Sequence, residues 1–371
     1  MRLPPFKLER FFAQYEFQAK YLLCCSDCES LTIGDLLSLE PGAGEAFERH
    51  WLGYTESVGA PSLRREVSRI YSGLSPEQVL VHSGAEEAIF LYMHATLSAG
   101  DHVVVQTPCY QSLLEVARSI GCVVTPWEVQ DSGGWTLDPG DLGRSLRPET
   151  RLVIINTPHN PTGYLMPHDV FREVNQLTQV RGIRVFSDEV YRELEYSVAD
   201  RLPAAADLNP LAVSLGVMSK TYGLPGLRIG WIATQDSDLY SRMAALKDYT
   251  TICSSAPSEF LAELALRHRR QIAERNLGLI QHNLTVLDAF FSRHANLFHW
   301  PRPIAGPIAF PRLLRGDIDS FCHDLVTQAN VLLAPGSLFD DAQDHFRVGF
   351  GRRNLPEAVE HLESYLAEHS A

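Results

Sequence analysis

The sequence contains no run of roughly 18 apolar residues, the length that a helix needs to cross a bilayer, so no membrane partner is expected. Its opening, MRLPPFKLERFF, has no long apolar core followed by a small-residue cleavage site, so no signal peptide is read and a cytoplasmic location is expected. Basic residues are in deficit: 32 Lys and Arg against 45 Asp and Glu leave a net charge of −13. That balance argues against a nucleic-acid partner. No internal repeat or low-complexity segment is present. Seven cysteines in 371 residues do not suggest a disulfide framework. Cys25-Ser-Asp-Cys28, next to Cys24, forms a CxxC, but no second such pair supplies the remaining ligands of a zinc site. No metal is expected, and these cysteines read as reduced, partly buried thiols.

What is present is an ordinary globular composition, 45% hydrophobic and 21% charged, in a chain long enough for a large domain and a smaller one. Short apolar runs read as buried strands at 79–82, 102–106, 151–156, 183–187, 212–216 and 227–232. Segments with helical spacing lie between most of them, at 86–97, 112–120 and 168–180. Strand–helix alternation with unbroken apolar strands predicts an α/β fold, a mostly parallel sheet sandwiched by helices. Long helices are read across 237–297, followed by a smaller α+β unit with strands at 331–334 and 345–350 and helices at 318–328 and 356–368. The expected division is an N-terminal arm (1–50) packing with the small domain, a large domain (51–290) and a small C-terminal domain (291–371).

Ligands of such sheets bind beyond the carboxyl ends of the strands, and five strand ends carry distinctive residues. After 79–82 comes Ser83-Gly84-Ala85-Glu86, where a helix begins; its first amides and its dipole suit a phosphate. After 102–106 comes Tyr110, able to stack on a flat ring. After 151–156, Asn156-Thr-Pro-His-Asn160-Pro-Thr-Gly163 stops the strand abruptly and fixes Asn156 and Asn160, whose amides can donate to an aromatic oxygen. His159 reads as a packed or solvent-facing loop residue. Asp188 ends the next strand, where a buried carboxylate needs a cation; Tyr191 shares its face if a turn of helix follows. After 212–216, Ser219 and Lys220 are followed by Gly223 and Gly226, which allow a tight return to Arg228 at the opening of the last strand. Burial there lowers a lysine's pKa and makes its amine nucleophilic. Phosphate cradle, stacking ring, amide donor, carboxylate and lysine with arginine are together what holds pyridoxal 5′-phosphate (PLP).

These blocks resemble the fold-type-I, class I/II aminotransferases over about 54–352, in particular Asn156–Gly163, Asp188–Tyr191 and Ser219–Trp231. Within that family the N-terminal region and the last block look closest to the subgroup that includes capreomycidine synthase. The resemblance implies an aspartate-aminotransferase-like fold, PLP as cofactor, and an enzyme that moves an amino group from an L-amino acid to a 2-oxo acid. It implies that Lys220 carries the cofactor as a Schiff base and shuttles the α-proton. Asp188 is implied to pair with the pyridine nitrogen, and Asn160 and Tyr191 to donate to the phenolic oxygen. Tyr110 is implied to stack, Gly84, Ala85, Glu86, Ser219 and Arg228 to hold the phosphate, and Arg347, together with Asn160, to bind the substrate, Arg347 gripping its carboxylate. Tyr54 matches a residue that reaches the neighbouring subunit's phosphate, which implies a homodimer with shared active sites.

Two departures from the family pattern stand out. Val217 occupies a position that is often Ser or Thr, and Glu86 would repel a phosphate unless it points away or a cation compensates. The expectation is that the cradle works through backbone contacts or such a cation. The same cofactor residues also serve lyases, cyclases and oxidases, so these stay open as alternatives. Glu16, Asp27 and Glu29 suggest a basic or polar amino donor.

Overall fold

The computed structural model describes residues 3–369. Its centre is a seven-stranded sheet of β1 (Val79–His82), β2 (His102–Thr107), β3 (Val123–Glu128), β4 (Thr150–Asn156), β5 (Arg184–Asp188), β6 (Ala212–Val217) and β7 (Gly230–Thr234). The spatial order is β1-β7-β6-β5-β4-β2-β3. All neighbouring pairs are parallel except the two made by β7, which runs against both β1 and β6. The inner strands are apolar on both faces because both faces are covered: Val103, Val104, Val105, Leu152, Val153, Ile154 and Ile155 are all buried.

Helices Lys7–Tyr15 (α1), Ala85–Thr96 (α2), Ser112–Ile120 (α3), His168–Val180 (α4) and Ser237–Lys247 (α5) have local causes. In α3, Leu113, Leu114, Val116 and Ala117 line one buried face, and Gly121 at φ +100° ends the helix in the left-handed region. In α5, the Asp236 side chain caps the helix by accepting from the Leu239 amide at 2.9 Å. The region read as long helices resolves into α5 and the helices Ala256–Arg267 and Arg269–Arg293.

The structure corrects two details of the sheet. Strand β3 had no counterpart in the sequence reading: it is a half-exposed edge strand with Pro126 inside it, and a proline is tolerated where one side of a strand has no neighbour. Strand β7 begins at Gly230 rather than at 227, because Pro225–Leu227 forms a 3₁₀ turn and Arg228 sits at φ +51°.

The C-terminal part contains helices Ile318–Ala329 and Leu355–His369 and a three-stranded sheet of Ile308–Ala309, Phe346–Gly349 and Ala334–Pro335. The N-terminal segment joins it: Tyr21–Leu22 pairs parallel with Val331–Leu332, and Leu8 of α1 packs in a cluster with Phe310, Leu332 and Phe339. Among the described residues, no helix is long and apolar enough to cross a membrane.

Candidate active site

Because β7 is antiparallel, its beginning lies at the edge of the sheet where the other strands end, and this brings Arg228 to the end of β1. The contact is close. A Cβ on Gly84 would stand 2.6 Å from an Arg228 guanidinium nitrogen, and a Cβ on Gly230 would stand 2.8 Å from the Gly84 carbonyl carbon and 3.0 Å from the Ala85 nitrogen. Gly84 takes φ +86°, open to glycine at little strain. It turns the chain into α2, whose first amides have no acceptor within the helix. Glu87 folds back, accepting from the Ser83 amide at 2.6 Å and from the hydroxyls of Thr250 and Thr251.

Asn156 and Asp188 are register partners at the ends of β4 and β5. Asn156 is fixed from three sides: its amide nitrogen donates to the Asp188 carbonyl at 3.0 Å, its side-chain oxygen accepts from the Asn160 amide at 2.6 Å, and its backbone amide donates to Gln106 Oε1 at 2.8 Å. Asp188 is buried, accepts from the Val190 amide at 3.2 Å and, among the described residues, has no ion-pair partner within 4 Å. Burial pushes its carboxyl up to about 7. Tyr191 is also buried; its hydroxyl stands near the Ser26 side chain but has no partner within hydrogen-bond geometry among the described residues. The segment after Asp188 is a turn rather than the turn of helix anticipated, with Glu193 at φ +76°.

Lys220 follows β6, and its Nζ donates to Ser26 Oγ at 2.9 Å. Removal from water lowers its pKa, partly opposed by Asp27. Arg347 is fully buried; Nε donates to the Cys24 carbonyl at 3.0 Å, Nη1 to Asn160 Oδ1 at 3.2 Å, and Nη2 has no partner. Phe12 and Phe339 flank the guanidinium, 5.9 and 5.2 Å from their ring centres.

These groups surround a cavity of about 460 Å³. Ala85, Glu86, Tyr110, Asn160, Asp188, Tyr191, Ser219, Lys220 and Arg228, all candidates from the sequence, line it. Gly84 adjoins it through Arg228, and Arg347 touches it through Asn160. Val217 also faces the cavity, as an apolar wall. Tyr54 is not brought in: it is 86% exposed. The three acids singled out for substrate do not line the cavity. Asp27 is held by Arg352 at 2.8 and 2.9 Å, Glu29 accepts from the Arg353 amide at 3.0 Å, and Glu16 stands behind, its pKa raised by partial burial, Asp27 and Glu9.

The sequence reading missed Phe6, Glu9 and Ser26, which reach the cavity from the N-terminal segment. Glu9 accepts from the Tyr110 hydroxyl at 3.1 Å, and the Phe6 ring lies 4.9 Å from that of Tyr110. Nothing local to α1 marks these roles, since its face toward the site appears only once the N-terminal segment has packed on the C-terminal part. His159 is a packed residue, fully buried and 2.7 Å from the Thr162 hydroxyl. Cys24, Cys25 and Cys28 are free and buried.

The residues present fit PLP. A buried carboxyl without a cation suits a protonated ring nitrogen, and a buried phenol without an acceptor suits a ring oxygen. A helix N-terminus with a guanidinium against a glycine suits a phosphate, and an amine with lowered proton affinity suits a carbonyl. Comparison with known proteins agrees. The family described as "Aminotransferase class I and II" matches residues 29–362. Capreomycidine synthase of Streptomyces vinaceus is 31% identical over 99% of this chain and 95% of its own length. Aspartate aminotransferase of Geobacillus stearothermophilus is 28% identical over 84% of this chain and 83% of its own. Among solved structures, a PLP-dependent aminotransferase from Streptococcus suis superimposes with a TM-score of 0.93 at 31% identity, covering 99% of both chains. The PLP-dependent cyclase OrfR superimposes with a TM-score of 0.91 at 29% identity, covering 100% of this chain and 98% of that one. The chain belongs to the class I and II aminotransferase family, with the aspartate-aminotransferase-like fold, and its cofactor is PLP.

Proposed function

We propose that the protein is an aminotransferase that moves the amino group of an L-amino acid to a 2-oxo acid, with Lys220 as the residue that carries the cofactor and the proton. The observation that carries this reading is the set around one cavity: Lys220, Asp188, Tyr191, Asn160 and the N-terminus of α2 beside Arg228. PLP, when bound, accepts the electron pair released at the substrate α-carbon. Lys220, its amine made less basic by removal from water, would take the proton from that carbon and pass it to the cofactor's C4′ carbon rather than back to the α-carbon. Asp188, with no ion-pair partner among the described residues, would keep a proton on the ring nitrogen. The free hydroxyl of Tyr191 and the amide of Asn160 orient the ring through its phenolic oxygen. Tyr110 would cover one ring face, and Arg347, whose Nη2 has no partner among the described residues, would grip the substrate carboxylate.

Tyr54 is assigned to the neighbouring subunit's phosphate in a homodimer; its exposure, with that of Trp51 and Leu52, supports a partner at this segment. The division at residues 51 and 291 is kept as part of the proposal, supported by the pairing of Tyr21–Leu22 with Val331–Leu332. A basic or polar amino donor is also retained. Its support is now Glu9 on the cavity wall and Glu16 behind it, in place of Asp27 and Glu29, which are engaged elsewhere.

A second reading, a cyclase, lyase or oxidase, is favoured by the near full-length likeness to capreomycidine synthase and to the cyclase OrfR. Incubation of the holoenzyme with an amino acid alone separates the two. Stoichiometric conversion to the pyridoxamine form supports transamination, whereas repeated turnover with release of ammonia, a cyclic product or consumption of oxygen overturns it. In the same assay, a donor panel in which Leu and Phe react and Arg and Lys do not would overturn the basic-donor assignment.

A further inference from the structure

Lys247, the last residue of α5, is fully buried, and among the described residues no acid stands within ion-pair distance of its Nζ. Burying an ammonium group is unfavourable unless its hydrogen bonds are met. Here they are met by two backbone carbonyls far apart in the chain: Nζ donates to the Ser57 carbonyl at 2.8 Å and to the Ile252 carbonyl at 3.1 Å. Removal from water lowers the lysine's pKa, opposed at longer range by Glu87, Cys253, Glu259 and Asp248. Ile252 takes φ +62°, a conformation that a β-branched residue rarely adopts, and its carbonyl reaches Lys247 in this strained form.

Both segments are held at further points. The hydroxyl of Thr55, the residue after Tyr54, donates to the Ser254 carbonyl at 3.3 Å, and buried Glu259 accepts from the Ala60 amide at 3.0 Å. The Val81 amide of β1 donates to the Val58 carbonyl at 3.0 Å, and a Cβ on Gly59 would stand 2.3 Å from the Val81 side chain. On the other side, the hydroxyls of Thr250 and Thr251 donate to Glu87, which also accepts from the Ser83 amide at the turn into α2. Lys247 therefore stands in the middle of a chain of contacts that begins at Ser83 and ends beside Tyr54. The backbone of these segments is fixed from within, while Trp51, Leu52, Tyr54 and Tyr249 point their side chains outward and are exposed. A surface held in this way has little ordering left to do when it meets a partner.

We propose that Lys247 is a positioning residue for Tyr54: by holding the Ser57 and Ile252 carbonyls together, it fixes the 54–60 segment on the course from which Tyr54 reaches the cofactor phosphate of a second copy of the chain. The proposal rests on the reading that Tyr54 serves the neighbouring subunit's phosphate.

The test is binding rather than turnover. Full-length protein freed of cofactor is titrated with PLP and with pyridoxal, which lacks the phosphate, at concentrations where sedimentation reads a dimer. Tyr54→Phe weakens PLP and leaves pyridoxal unchanged. Lys247→Met, which keeps the apolar stem but offers no N–H, raises the PLP Kd by about fivefold or more, as expected for a lost hydrogen bond from a charged donor, with pyridoxal within about twofold. The double variant binds PLP no more weakly than Tyr54→Phe alone, because Lys247 acts through that residue. Glu259→Ala, which frees the Ala60 amide at the other end of the segment, gives the same pattern, and Glu259→Gln, which keeps an acceptor there, stays near wild type; this pair carries the test if Lys247→Met folds poorly. If the protein sediments as a monomer, or Tyr54→Phe fails to separate the two ligands, the reading of Tyr54 falls and the inference with it. If Tyr54→Phe separates them while Lys247→Met and Glu259→Ala bind PLP as the wild type does, weaken both ligands alike, or add in full to Tyr54→Phe, only the inference falls.

Discussion

Gly230→Ala is the sharpest test of how the phosphate cradle is assembled. A methyl group there would meet two backbone atoms, the Gly84 carbonyl carbon at 2.8 Å and the Ala85 nitrogen at 3.0 Å. Backbone cannot swing aside as the tip of a long side chain can. The added methyl must therefore push β7 from β1 or push the first amide of α2 out of place. Inserting a methyl into a packed site costs about 1–3 kcal/mol. If that energy falls on the bound geometry of the cradle, the Kd for PLP rises roughly 5- to 150-fold, at 1.4 kcal/mol per decade. The control is Gly226→Ala, three residues before Ile229 and with nothing within 4 Å of its added carbon. The assay is equilibrium dialysis of apoprotein against PLP and pyridoxal, with thermal unfolding of both apoproteins. Gly230→Ala should weaken PLP far more than pyridoxal, and Gly226→Ala should weaken neither. A PLP affinity within twofold of wild type for Gly230→Ala, with unfolding unchanged, would refute the close approach of Gly230 to the cradle.

Lys220→Ala should lose the visible absorbance of lysine-bound cofactor after dialysis against PLP-free buffer; retained absorbance contradicts the assignment of this lysine. Asp188→Asn should lower kcat by about 10²–10⁴, in the range of a misplaced proton in general acid–base catalysis, while pyridoxal still binds. Its effect on the apoprotein has the opposite sign. The folded pKa of Asp188 lies at about 7, above the unfolded value, so its own contribution to stability is fullest below about pH 4 and is lost as pH rises through about 7. At pH 8 apo Asp188→Asn should therefore be more stable than apo wild type, by up to roughly 4 kcal/mol, as read from urea unfolding. If Tyr54 serves a neighbouring subunit as proposed, the Tyr54→Phe and Lys220→Ala proteins should both be impaired, yet mixing and re-equilibrating them should recover activity in hybrids that hold one intact site; no recovery contradicts a shared site.

The parts of the site legible in the sequence are those whose signal is local. Strand ends marked by Pro, Gly, Asn and Asp show where the chain stops, and parallel topology brings such ends together, so Asn160, Asp188 and Lys220 could be named without coordinates. Arg228 was legible as a partner of the lysine, but its place was not: a Pro-Gly pair turns the chain through a left-handed residue, and the strand starts two positions later. Strand β3 was hidden because an exposed edge with a proline carries no apolar run. Glu9 and Ser26 were illegible because their partners, Tyr110 and Lys220, are far away in the chain. The direction of Glu86 was open for the same reason, being decided by Ser112 across a helix–helix gap.

The reversed strand β7 also governs the order in which the molecule can be made. Strand β1 pairs with β7 alone, and the register partners Val81 and Trp231 are about 150 positions apart. At translation rates of about 5–20 residues per second, β1 waits roughly 7–30 s on the ribosome before its only neighbour exists. During that interval the edge of this apolar strand that later meets β7 stands open, the Val81 amide donating to the Val58 carbonyl at 3.0 Å; it is a period of exposure to wrong pairing that chaperones would shorten. The insertion that ends the wait also delivers Arg228 to Gly84. On the proposed assignment of Arg228 and Gly84 to the cofactor's phosphate, capture of that phosphate would report that the sheet has closed, and PLP would favour nascent chains that have passed that point.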